Sequence, residues 1–575
     1  MLRPKNLRAL PALLLFSASL GCAHAYRGAD LPWTTYEAEN MKTTGAVLSG
    51  MKSGTNTVAW EASGQKCVQL AAAGQYVEFT ARASANAIVV RYSLPDAPVG
   101  GGIDSTINLF KNGKFLRKIP VTSRYSYLYG HYPFTNGPAA GIPRNFFDEV
   151  RVKDLSVKKG DALRLQKDKN DSAPFCVIDL VDLENVAPPL AAPINSLSVL
   201  DFGASGNGQT DDTAALRKCL AAARGQNKIV WVPAGNYKIT GDINLPSHST
   251  IQGAGMWQTA FVGDAALYNL KVHGRVRFEG RGDDIHLADF AIIGKLNYRN
   301  DSEENDGITG SFGTRSSIAR LWIEHTKTGL WLMNSSNLVV DSCRLRDTLA
   351  DGINFCVGMR NSIIENCATR GTGDDCFAMW PAVFLPQQFS PGFNVIRHCT
   401  GQLPFLANGG ALYGGQSNRI EDSRFTDISY GCGILISTTF PVANEKVDNN
   451  FSGTTMVENC DLIRCGGMDH EWGWRAALQL CLDGNSISGV TLRDLNIAGS
   501  ISDGLSVIGP RKKDRREGTL SNAIIKNVKI PDYGLEAKDR HSLWIAGNVH
   551  GSLTIGDSKI VEIKNDSTDF SIMKK

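Results

Sequence analysis

The sequence predicts an all-β protein: a right-handed parallel β-helix preceded by a β-sandwich of the jelly-roll type. Short strands recur at steps of 22 to 23 residues, and glycine is frequent, with 58 among 575 residues. A proline-rich stretch separates about 160 residues from about 380, which predicts two domains. We expect the sandwich over residues 26–187, a linker over 188–196 and the β-helix over 197–575.

Residues 1–25 have the composition of an export signal. Three basic residues precede an apolar run, and the run is followed by Ala23-His24-Ala25, a small-x-small cleavage site. We therefore expect a secreted or periplasmic chain that begins at Tyr26. Lipid attachment at Cys22 is the weaker alternative, because Ser19 stands where a lipoprotein signal normally has an aliphatic residue.

The charge balance restricts the possible partners. The chain has 60 basic and 57 acidic residues, and removing the three basic residues of the signal leaves it neutral. A neutral chain has no general attraction for nucleic acid or anionic lipid, so we expect an uncharged partner and no nucleic acid. Beyond the signal no run of 18 apolar residues occurs, so no transmembrane segment is predicted.

Segments rich in β-formers, separated by glycine, serine and asparagine, predict the sandwich; they lie at 76–79, 88–92 and 175–180. Cys67 and Cys176 are alone in the first third of the chain and could form a disulfide.

The second domain repeats a short motif at a fixed point of each unit. Its members are Asp306-Gly307-Ile308, Thr328-Gly329-Leu330, Asp351-Gly352-Ile353 and Asp374-Asp375-Cys376. A unit of this length has no room for a helix and cannot bury its own apolar face. Stacking successive units in parallel, about 4.8 Å apart, buries that face, so the repeat predicts a parallel β-helix.

A second repeated position predicts a ladder inside this tube: Cys343, Cys367, Cys399, Ser423 and Cys460. We interpret the ladder as small filling of the core, not as a metal site, because it lacks histidine and carboxylate partners. The helical pattern over 213–223, entered from Asp211-Asp212, is expected to cap the open end of the tube.

Residues 200–213, 230–237 and 251–255 resemble the first coils of pectin-lyase-like β-helix proteins, which include polygalacturonases, dextranases and α-1,3-glucanases. That resemblance implies the fold and leaves the substrate open.

Three aspartates narrow the resemblance. Asp351 lies 23 residues, one coil, before the pair Asp374-Asp375, so stacking should bring the three together. With the sandwich segments 132–134 and 144–149, this pattern looks like glycoside hydrolase family 87, the α-1,3-glucanases and mycodextranases. Polygalacturonases add Gly-His-Gly on the next coil and an Arg-Ile-Lys; residues 409–415 lack the first, and the second does not occur.

Glycoside hydrolysis needs a protonated carboxyl group and an ionised carboxylate, and three neighbouring aspartates supply both. Mutual repulsion should raise the pKa of at least one of them. The resemblance implies that Asp374 is the general acid and that Asp351 and Asp375 hold the water. It also implies inversion, for which acid and base typically lie roughly 6.5–9.5 Å apart. The alternative is that these Asp-Gly motifs only mark turns, as Asp483-Gly484 does.

Long insertions interrupt the repeat after Asp375 and are expected to wall a cleft with aromatic and polar side chains. The predicted substrate-binding residues are Trp380, Tyr413, Gln416, Trp472, Trp474 and Arg475. The aromatic residues could equally pin the loops to the solenoid.

Residues 36–39 and 177–182 resemble the first and last strands of carbohydrate-binding modules of families 6 and 35. The resemblance implies a structural calcium held by Glu37, Glu39 and Asp179, whose oxygen ligands suit a hard cation. We expect no catalytic cofactor. Tyr125, Tyr127 and Tyr129 alternate, so they could bind glycan or pack against the solenoid.

Together these features predict a secreted, endo-acting α-1,3-glucanase of the inverting type, active on a neutral α-glucan and monomeric. Three alternatives remain at this point: another β-helix hydrolase of the dextranase, isopullulanase or polygalacturonase type, a polysaccharide lyase, or a non-catalytic glycan-binding solenoid.

Overall fold

The structure is a computed structural model that describes residues 27–50, 55–131, 134–264, 268–269, 272–273, 275–440, 451–470, 473–512 and 515–575. The predicted signal, Cys22 and Trp472 lie outside the described residues. Within the described part of the chain, no helix is long and apolar enough to span a membrane.

The first domain is a sandwich of two antiparallel sheets. The first sheet contains Trp33–Glu37, Ala46–Ser49, Lys66–Leu70, Ala87–Ser93, Asp148–Val152 and Cys176–Glu184. The second sheet contains Lys42–Thr43, Tyr76–Thr80, Asp104–Lys111, Lys114–Thr122 and Ala162–Gln166. Four 3-10 turns accompany them: Ala38–Asn40, Val58–Glu61, Ser63–Gln65 and Pro138–Ala140. Alternate residues such as Val77, Phe79, Leu163 and Leu165 face the core between the sheets.

The second domain is a parallel β-helix, as predicted. One sheet of 12 parallel strands carries the functional site. Its strands are Ile243–Pro246, Phe278–Arg281, Ile308–Thr314, Leu330–Ser336, Ile353–Phe355, Phe377–Met379, Gly410–Leu412, Ile434–Ser437, Leu478–Cys481, Leu505–Ile508, Leu543–Ile545 and Ile563–Asn565.

The rest of the tube is a continuous set of 24 strands, which forms the other two faces. They are Ser196–Ser198, Asn207–Asp211, Ile229–Val232, Gly235–Lys238, Thr250–Gly253, Thr259–Val262, His286–Ala288, Ala291–Ile293, Ser317–Ala319, Trp322–Glu324, Val339–Asp341, Arg344–Arg346, Ile363–Glu365, Ala368–Arg370, Val395–Arg397, Thr400–Gln402, Arg419–Glu421, Arg424–Ile428, Thr455–Glu458, Asp461–Cys465, Ile487–Ala498, Thr519–Lys529, His550–Gly556 and Phe570–Lys574. Short two-stranded pairs join Tyr268–Asn269 to Val272–His273, Gly415–Gln416 to Phe451–Ser452, and Met468–Asp469 to Gly473–Trp474.

A left-handed residue bends each coil between these two faces. Positions Ser342, Asn366, His398, Asp422 and Asn459 have φ values of 54, 52, 49, 52 and 51°. Asparagine and aspartate tolerate this conformation better than most residues, which explains their frequency here. The repeated bend keeps equivalent residues of successive coils in register.

The predicted ladder follows this bend and is confirmed. The backbone N–H of Cys343 donates to Sγ of Cys367 at 3.4 Å, and that of Cys399 donates to Oγ of Ser423 at 3.1 Å. These side chains are buried in the apolar core.

The possible disulfide between Cys67 and Cys176 does not form. All twelve cysteines of the described residues are free and buried. Cys176 faces the core between the two sheets, whereas Cys67 packs with Ala59 and Phe147 on the opposite side of the first sheet. The two thiols therefore face away from each other across one sheet.

A helix, Thr213–Gly225, closes the N-terminal end of the tube, two residues longer than predicted. The 3-10 turn Val199–Phe202 precedes it. Leu216, Cys219 and Leu220 pack on the first coils, so the helix covers the end of the apolar core.

The two domains meet through buried ion pairs. Arg344 pairs with Glu184 at 2.7 and 2.8 Å, and Arg370 pairs with Asp182 at 2.7 Å and with Glu149. Charges taken out of water are tolerated only when they are compensated, so these contacts fix the relative placement of the domains.

A second ionic contact lies beside this network. Nε2 of His325 is 2.8 Å from Oδ1 of Asp148, and the ring of Tyr125 stacks on the imidazole at 4.2 Å. Tyr127 and Tyr129 donate their hydroxyls to Leu94 and Asp96 within the first domain. The three alternating tyrosines therefore serve packing in this structure.

Candidate active site

The register of the 12-stranded sheet stacks three polar residues. Ile353 pairs with Phe377, and Phe377 pairs with Gly410 in the next coil. Asp351, Asp375 and Asn408 each lie two residues before the strand that follows them, so they occupy one position in three successive coils. The sequence folds this way because the repeat places a turn before each short strand.

Asp351, Asp374 and Asp375, hereafter the aspartate cluster, converge as the spacing predicts. Each offers a carboxylate oxygen, and these oxygens lie within 4.8 Å of one another. The backbone N–H of Asp375 donates to Oδ1 of Asp351 and to Oδ1 of Asp374, both at 3.1 Å. The backbone of one aspartate thus binds the side chains of the other two.

Neighbouring polar groups fix the two buried members. Asn354 donates to Oδ2 of Asp351 at 2.8 Å. Asn408 donates to Oδ1 of Asp375 from its backbone at 3.1 Å and from its side chain at 2.8 Å, and Tyr413 donates to Oδ2 at 2.9 Å. These donors hold the carboxylates in single orientations.

The predicted rise in pKa is present. Burial, Asp374 and Asp375 raise the pKa of Asp351 well above its usual value, against the opposing hydrogen bond from Asn354. Burial and Asp374 raise the pKa of Asp375 to about 7, while Asn408 and Tyr413 oppose the rise. Burial penalises the charged form of each group, and like charges nearby add to that penalty.

Asp374 is the accessible member of the cluster. Its side chain is 32% exposed, whereas Asp351 and Asp375 are buried residues. Nη2 of Arg299 donates to its Oδ2 at 2.6 Å, and Nη1 of the same guanidinium donates to the carbonyl of Gly373 at 2.9 Å. Arg299 therefore binds both the side chain of Asp374 and the backbone carbonyl of the preceding residue, Gly373.

Asp374 faces a cavity of about 280 Å³. Loops of the β-helix line most of it, and Phe134 of the first domain closes one side. The other lining residues include Arg299, Asp301, Asn408, Tyr413, Phe440, Asp469, His470 and Arg475. The cavity joins apolar walls to several polar side chains, as binding sites for small polar ligands do.

Only some of the predicted substrate-binding residues line the cavity. Tyr413 and Arg475 line the cavity. Trp380 does not; it packs against Trp331, Phe384 and Phe440 with ring centroids 5.8, 5.9 and 6.1 Å away.

Two further predicted contacts lie elsewhere. Trp474 is half-buried against Trp60 of the first domain, with centroids 6.5 Å apart, so it fastens its loop to that domain. Gln416 is exposed on the short strand Gly415–Gln416, outside the cavity lining. Trp474 therefore packs between the two domains, and Gln416 lies on the surface outside this cavity.

Sequence reasoning missed Arg299, Asp301, Asn408 and Phe134. The repeat itself contains the signal for Asn408, since it stands two residues before a strand, as Asp351 does. Arg299 and Asp301 lie in an insertion between coils, and Phe134 reaches the site from the other domain. No periodicity points to these three.

The predicted calcium ligands fit the ion only in part. Asp179 is fully buried and pairs with Arg91, which neutralises it. Glu37 and Glu39 each keep one buried oxygen without a hydrogen-bond partner among the described residues. Burial, Asp179 and Glu39 raise the pKa of Glu37 to about 8. Among the described residues, the three do not converge within 4.8 Å as a ligand set. The calcium site stays a prediction, testable by calcium titration of Glu37→Gln.

Two family models match this chain, one over the sandwich and one over the β-helix. Residues 30–186 match the family model described as α-1,3-glucanase catalytic domain D1, and residues 209–545 match α-1,3-glucanase catalytic domain D2. The sandwich is thus matched as part of a catalytic unit.

Solved structures resemble the whole chain. The Agl-KA catalytic domain matches with a TM-score of 0.86 at 25% identity, over 97% of this chain and 100% of that one. The catalytic unit of a thermostable GH87 α-1,3-glucanase from Streptomyces thermodiastaticus strain HF3-3 matches with 0.75 at 29%, over 95% and 96%. An aspartate-to-alanine variant of a GH87 α-1,3-glucanase catalytic domain, in complex with tetrasaccharides, matches with 0.79 at 25%, over 95% and 99%.

Similarity to curated sequences is local. A pre-neck appendage protein of Bacillus phage phi29 is 26% identical over 202 residues, which cover 31% of this chain. The chain spans about a fifth of the length of that protein, 21%.

The two family models together cover most of the chain and decide for the hydrolase over the lyase and the non-catalytic solenoid. With its sandwich, its β-helix and three converging aspartates, the chain belongs to glycoside hydrolase family 87 and is an α-1,3-glucanase, which hydrolyses α-1,3-glucan.

Proposed function

We propose that the aspartate cluster performs the hydrolysis, with Asp374 as general acid and with Asp351 and Asp375 holding the attacking water as general base. The convergence of three carboxylate oxygens within 4.8 Å is the observation that carries this proposal. Access to the cavity supports this division of roles. Asp374 lines the cavity and can reach a glycosidic oxygen, while the two buried carboxylates lie behind it.

The raised pKa values of Asp351 and Asp375 bear on the proposed base. Since the pKa of Asp375 is about 7 and that of Asp351 is well above its usual value, the cluster retains protons near neutral pH. A base must be ionised, so the proposed base acts as pH rises through the range in which Asp351 and Asp375 lose their protons. Asp374 gives its proton to the leaving glycosidic oxygen, and the attacking water gives its proton to the ionised base, so the protons balance.

Substitution of each aspartate by asparagine tests the proposal. We expect each variant to lose about 10²–10⁴-fold in kcat on α-1,3-glucan, the usual contribution of acid–base catalysis. Asp306→Asn is the matched control, because Asp306 occupies the equivalent position two residues before Ile308–Thr314 and lies outside the cluster. Full activity of Asp374→Asn would overturn the assignment.

We propose that the reaction inverts the anomeric carbon. Support comes from the family resemblance and not from the separation of the carboxylates. The nearest oxygens lie within 4.8 Å, shorter than the roughly 6.5–9.5 Å typical of inverting pairs. NMR of the first product decides: a β-anomer released from the α-linked glucan supports inversion, and an α-anomer contradicts it.

We propose an endo mode of attack. The support is that a related catalytic domain has been solved in complex with tetrasaccharides. Early products from insoluble α-1,3-glucan should then be oligosaccharides of mixed length. A single short product from the first minutes onward would instead indicate release from chain ends.

We propose that the chain is exported, on the basis of the composition of residues 1–25. Intact mass of the protein recovered outside the cytoplasm should correspond to a chain that begins at Tyr26. A lipid-modified Cys22 would contradict this cleavage site. The predicted monomer is tested in the same preparation by light scattering.

A further inference from the structure

The first domain contributes a side chain to the catalytic cavity. Phe134 lines the same cavity as Asp374 and is 6% exposed. It belongs to a buried apolar group, hereafter the bridging cluster, that joins both domains. Its members are Leu128, Phe134, Leu296, Leu349, Phe405 and Leu406.

The bridging cluster lies beside the residues that carry the site. Leu349 is two residues before Asp351, and Leu406 is two residues before Asn408. Phe405 approaches Gly373 so closely that a Cβ on that glycine would lie 2.8 Å from its ring. Leu128 and Phe134 of the first domain thus pack against the turns that present the aspartate cluster and Asn408.

Arg299 connects the bridging cluster to Asp374. Its guanidinium lies 5.9 Å from the ring centroid of Phe134, and its hydrogen bonds to Asp374 and Gly373 are 2.6 and 2.9 Å long. The carboxylate of Asp301 accepts hydrogen bonds from Nε and Nη2 of Arg299 at 2.9 and 3.1 Å. The arginine is 8% exposed, so it is held by contacts on every side.

We propose that Arg299, held in place by Phe134 of the first domain, is the positioning residue that orients Asp374 for proton transfer, so that the first domain completes the active site. This inference rests on the proposed role of Asp374.

The geometry of these hydrogen bonds explains why an arginine, and not a lysine, stands at this position. A planar guanidinium offers several donors in a fixed fork and can bond to the Gly373 carbonyl and to the Asp374 carboxylate at once. A lysine ammonium lacks that fork, so it would not hold both groups in one plane. Proton transfer is sensitive to displacements of about 1 Å, which is why an anchor of this kind matters for rate.

The positive charge of Arg299 has a second effect, which can be measured separately from its effect on the geometry of Asp374. The groups around Arg299 are Asp301, the aspartate cluster and, across the cavity, Asp469, His470 and Arg475. Burial, Asp374 and Asp375 raise the pKa of Asp351, and Arg299 opposes that rise. Without the guanidinium the pKa of Asp351 rises further, so the acid limb of the activity profile moves to higher pH.

The test uses Arg299→Ala, Arg299→Lys, Phe134→Ala and Phe134→Leu in the full chain. We expect Arg299→Ala to lower kcat by about 10²-fold with little change in KM, and to move the acid limb upward. Arg299→Lys should restore the pH profile better than the rate, because it restores charge without the fork. Phe134→Ala should lower kcat in the same way but less, and Phe134→Leu should recover part of the loss.

Two control variants lie in the same domain as Phe134. Arg124→Ala breaks an exposed ion pair with Asp104, and Phe115→Ala removes a ring that is 58% exposed. Both should leave kcat and the pH profile unchanged. Melting curves identify any variant that fails to fold, and for such a variant the lysine or leucine substitution gives the result.

Unchanged kcat and pH profile in folded Arg299→Ala would overturn the inference. So would a loss confined to KM, since that would make Arg299 a substrate contact. If Asp374→Asn is inactive while Arg299→Ala is fully active, the inference fails and the proposed function stands. If Asp374→Asn is active, the proposed function fails first.

Discussion

The hydroxyl of Tyr413 donates a 2.9 Å hydrogen bond to Oδ2 of Asp375 from the coil above it. A donor to a carboxylate stabilises its ionised form, so this bond opposes the burial that raises the pKa of Asp375 to about 7. Tyr413 is therefore a positioning residue for the proposed base as well as part of the cavity wall.

Tyr413→Phe should raise the pKa of Asp375 above about 7. Because a base must be ionised, the acid limb of kcat against pH should move to higher pH, and the rate at the optimum should fall. Tyr533→Phe is the matched control, since Tyr533 also donates to a carboxylate, that of Glu562, at an exposed position. Equal profiles for the two variants would contradict the role of Tyr413.

His325 links stability to pH at the domain interface. Burial alone lowers its pKa, but Asp148 more than compensates and raises it to about 9. A histidine with an ordinary pKa of about 6.5 when unfolded then stabilises the fold fully below that pH, and the contribution is lost as pH rises to about 9.

The melting temperature should therefore fall from pH 6.5 to 9 less steeply in His325→Gln than in the parent. Other groups titrate in this window, so the difference between the two curves is the measurement. His550→Gln, which removes a half-exposed partner of Glu517, should keep the parental slope. Parallel curves for the parent and His325→Gln would refute the linkage.

Arg370 compensates two buried acids of the other domain, Glu149 and Asp182. Its replacement by alanine leaves both without this partner, and breaking a buried pair typically costs about 3–5 kcal/mol. We expect a large drop in the urea midpoint. Arg124→Ala, at an exposed pair, should cost less than about 1 kcal/mol. A small effect of Arg370→Ala would mean that water reaches the interface.

The free cysteines make a chemical prediction. After denaturation without reductant, all twelve described thiols should react with a thiol reagent. Reductant should leave the melting temperature of the native protein unchanged, because no disulfide restrains the described chain. Fewer reactive thiols would indicate a bridge. Cys399→Ser should be tolerated, since Ser423 already fills that ladder position one coil away.

Periodicity predicted the parts of this protein that depend on stacking. The pair Asp374-Asp375 lies one coil after Asp351, and the pairing of Ile353 with Phe377 places Asp375 at the position equivalent to Asp351, with Asp374 beside it. The ladder of Cys343, Cys367 and Cys399 follows from the same regularity. Both were predictable because a solenoid converts sequence separation directly into position.

Features that interrupt the repeat were not predictable in this way. Arg299 lies in an insertion, and its contact with Asp374 depends on how that insertion folds back. Trp474 was expected to face substrate, but it packs on Trp60 of the other domain. Composition identifies an aromatic side chain and does not decide which surface it covers. The disulfide failed similarly, because the side of the sheet that Cys67 faces depends on local register.

The ion pairs between the sandwich and the solenoid limit what protein engineering can do with this enzyme. A detachable accessory module can be exchanged or deleted without harming the rest. Here, removing the sandwich would leave Arg344 and Arg370 without the acids that neutralise them and would strip Phe134 from the cavity wall. Redesign for another glucan must therefore treat both halves as one scaffold and vary the loops around the cavity instead.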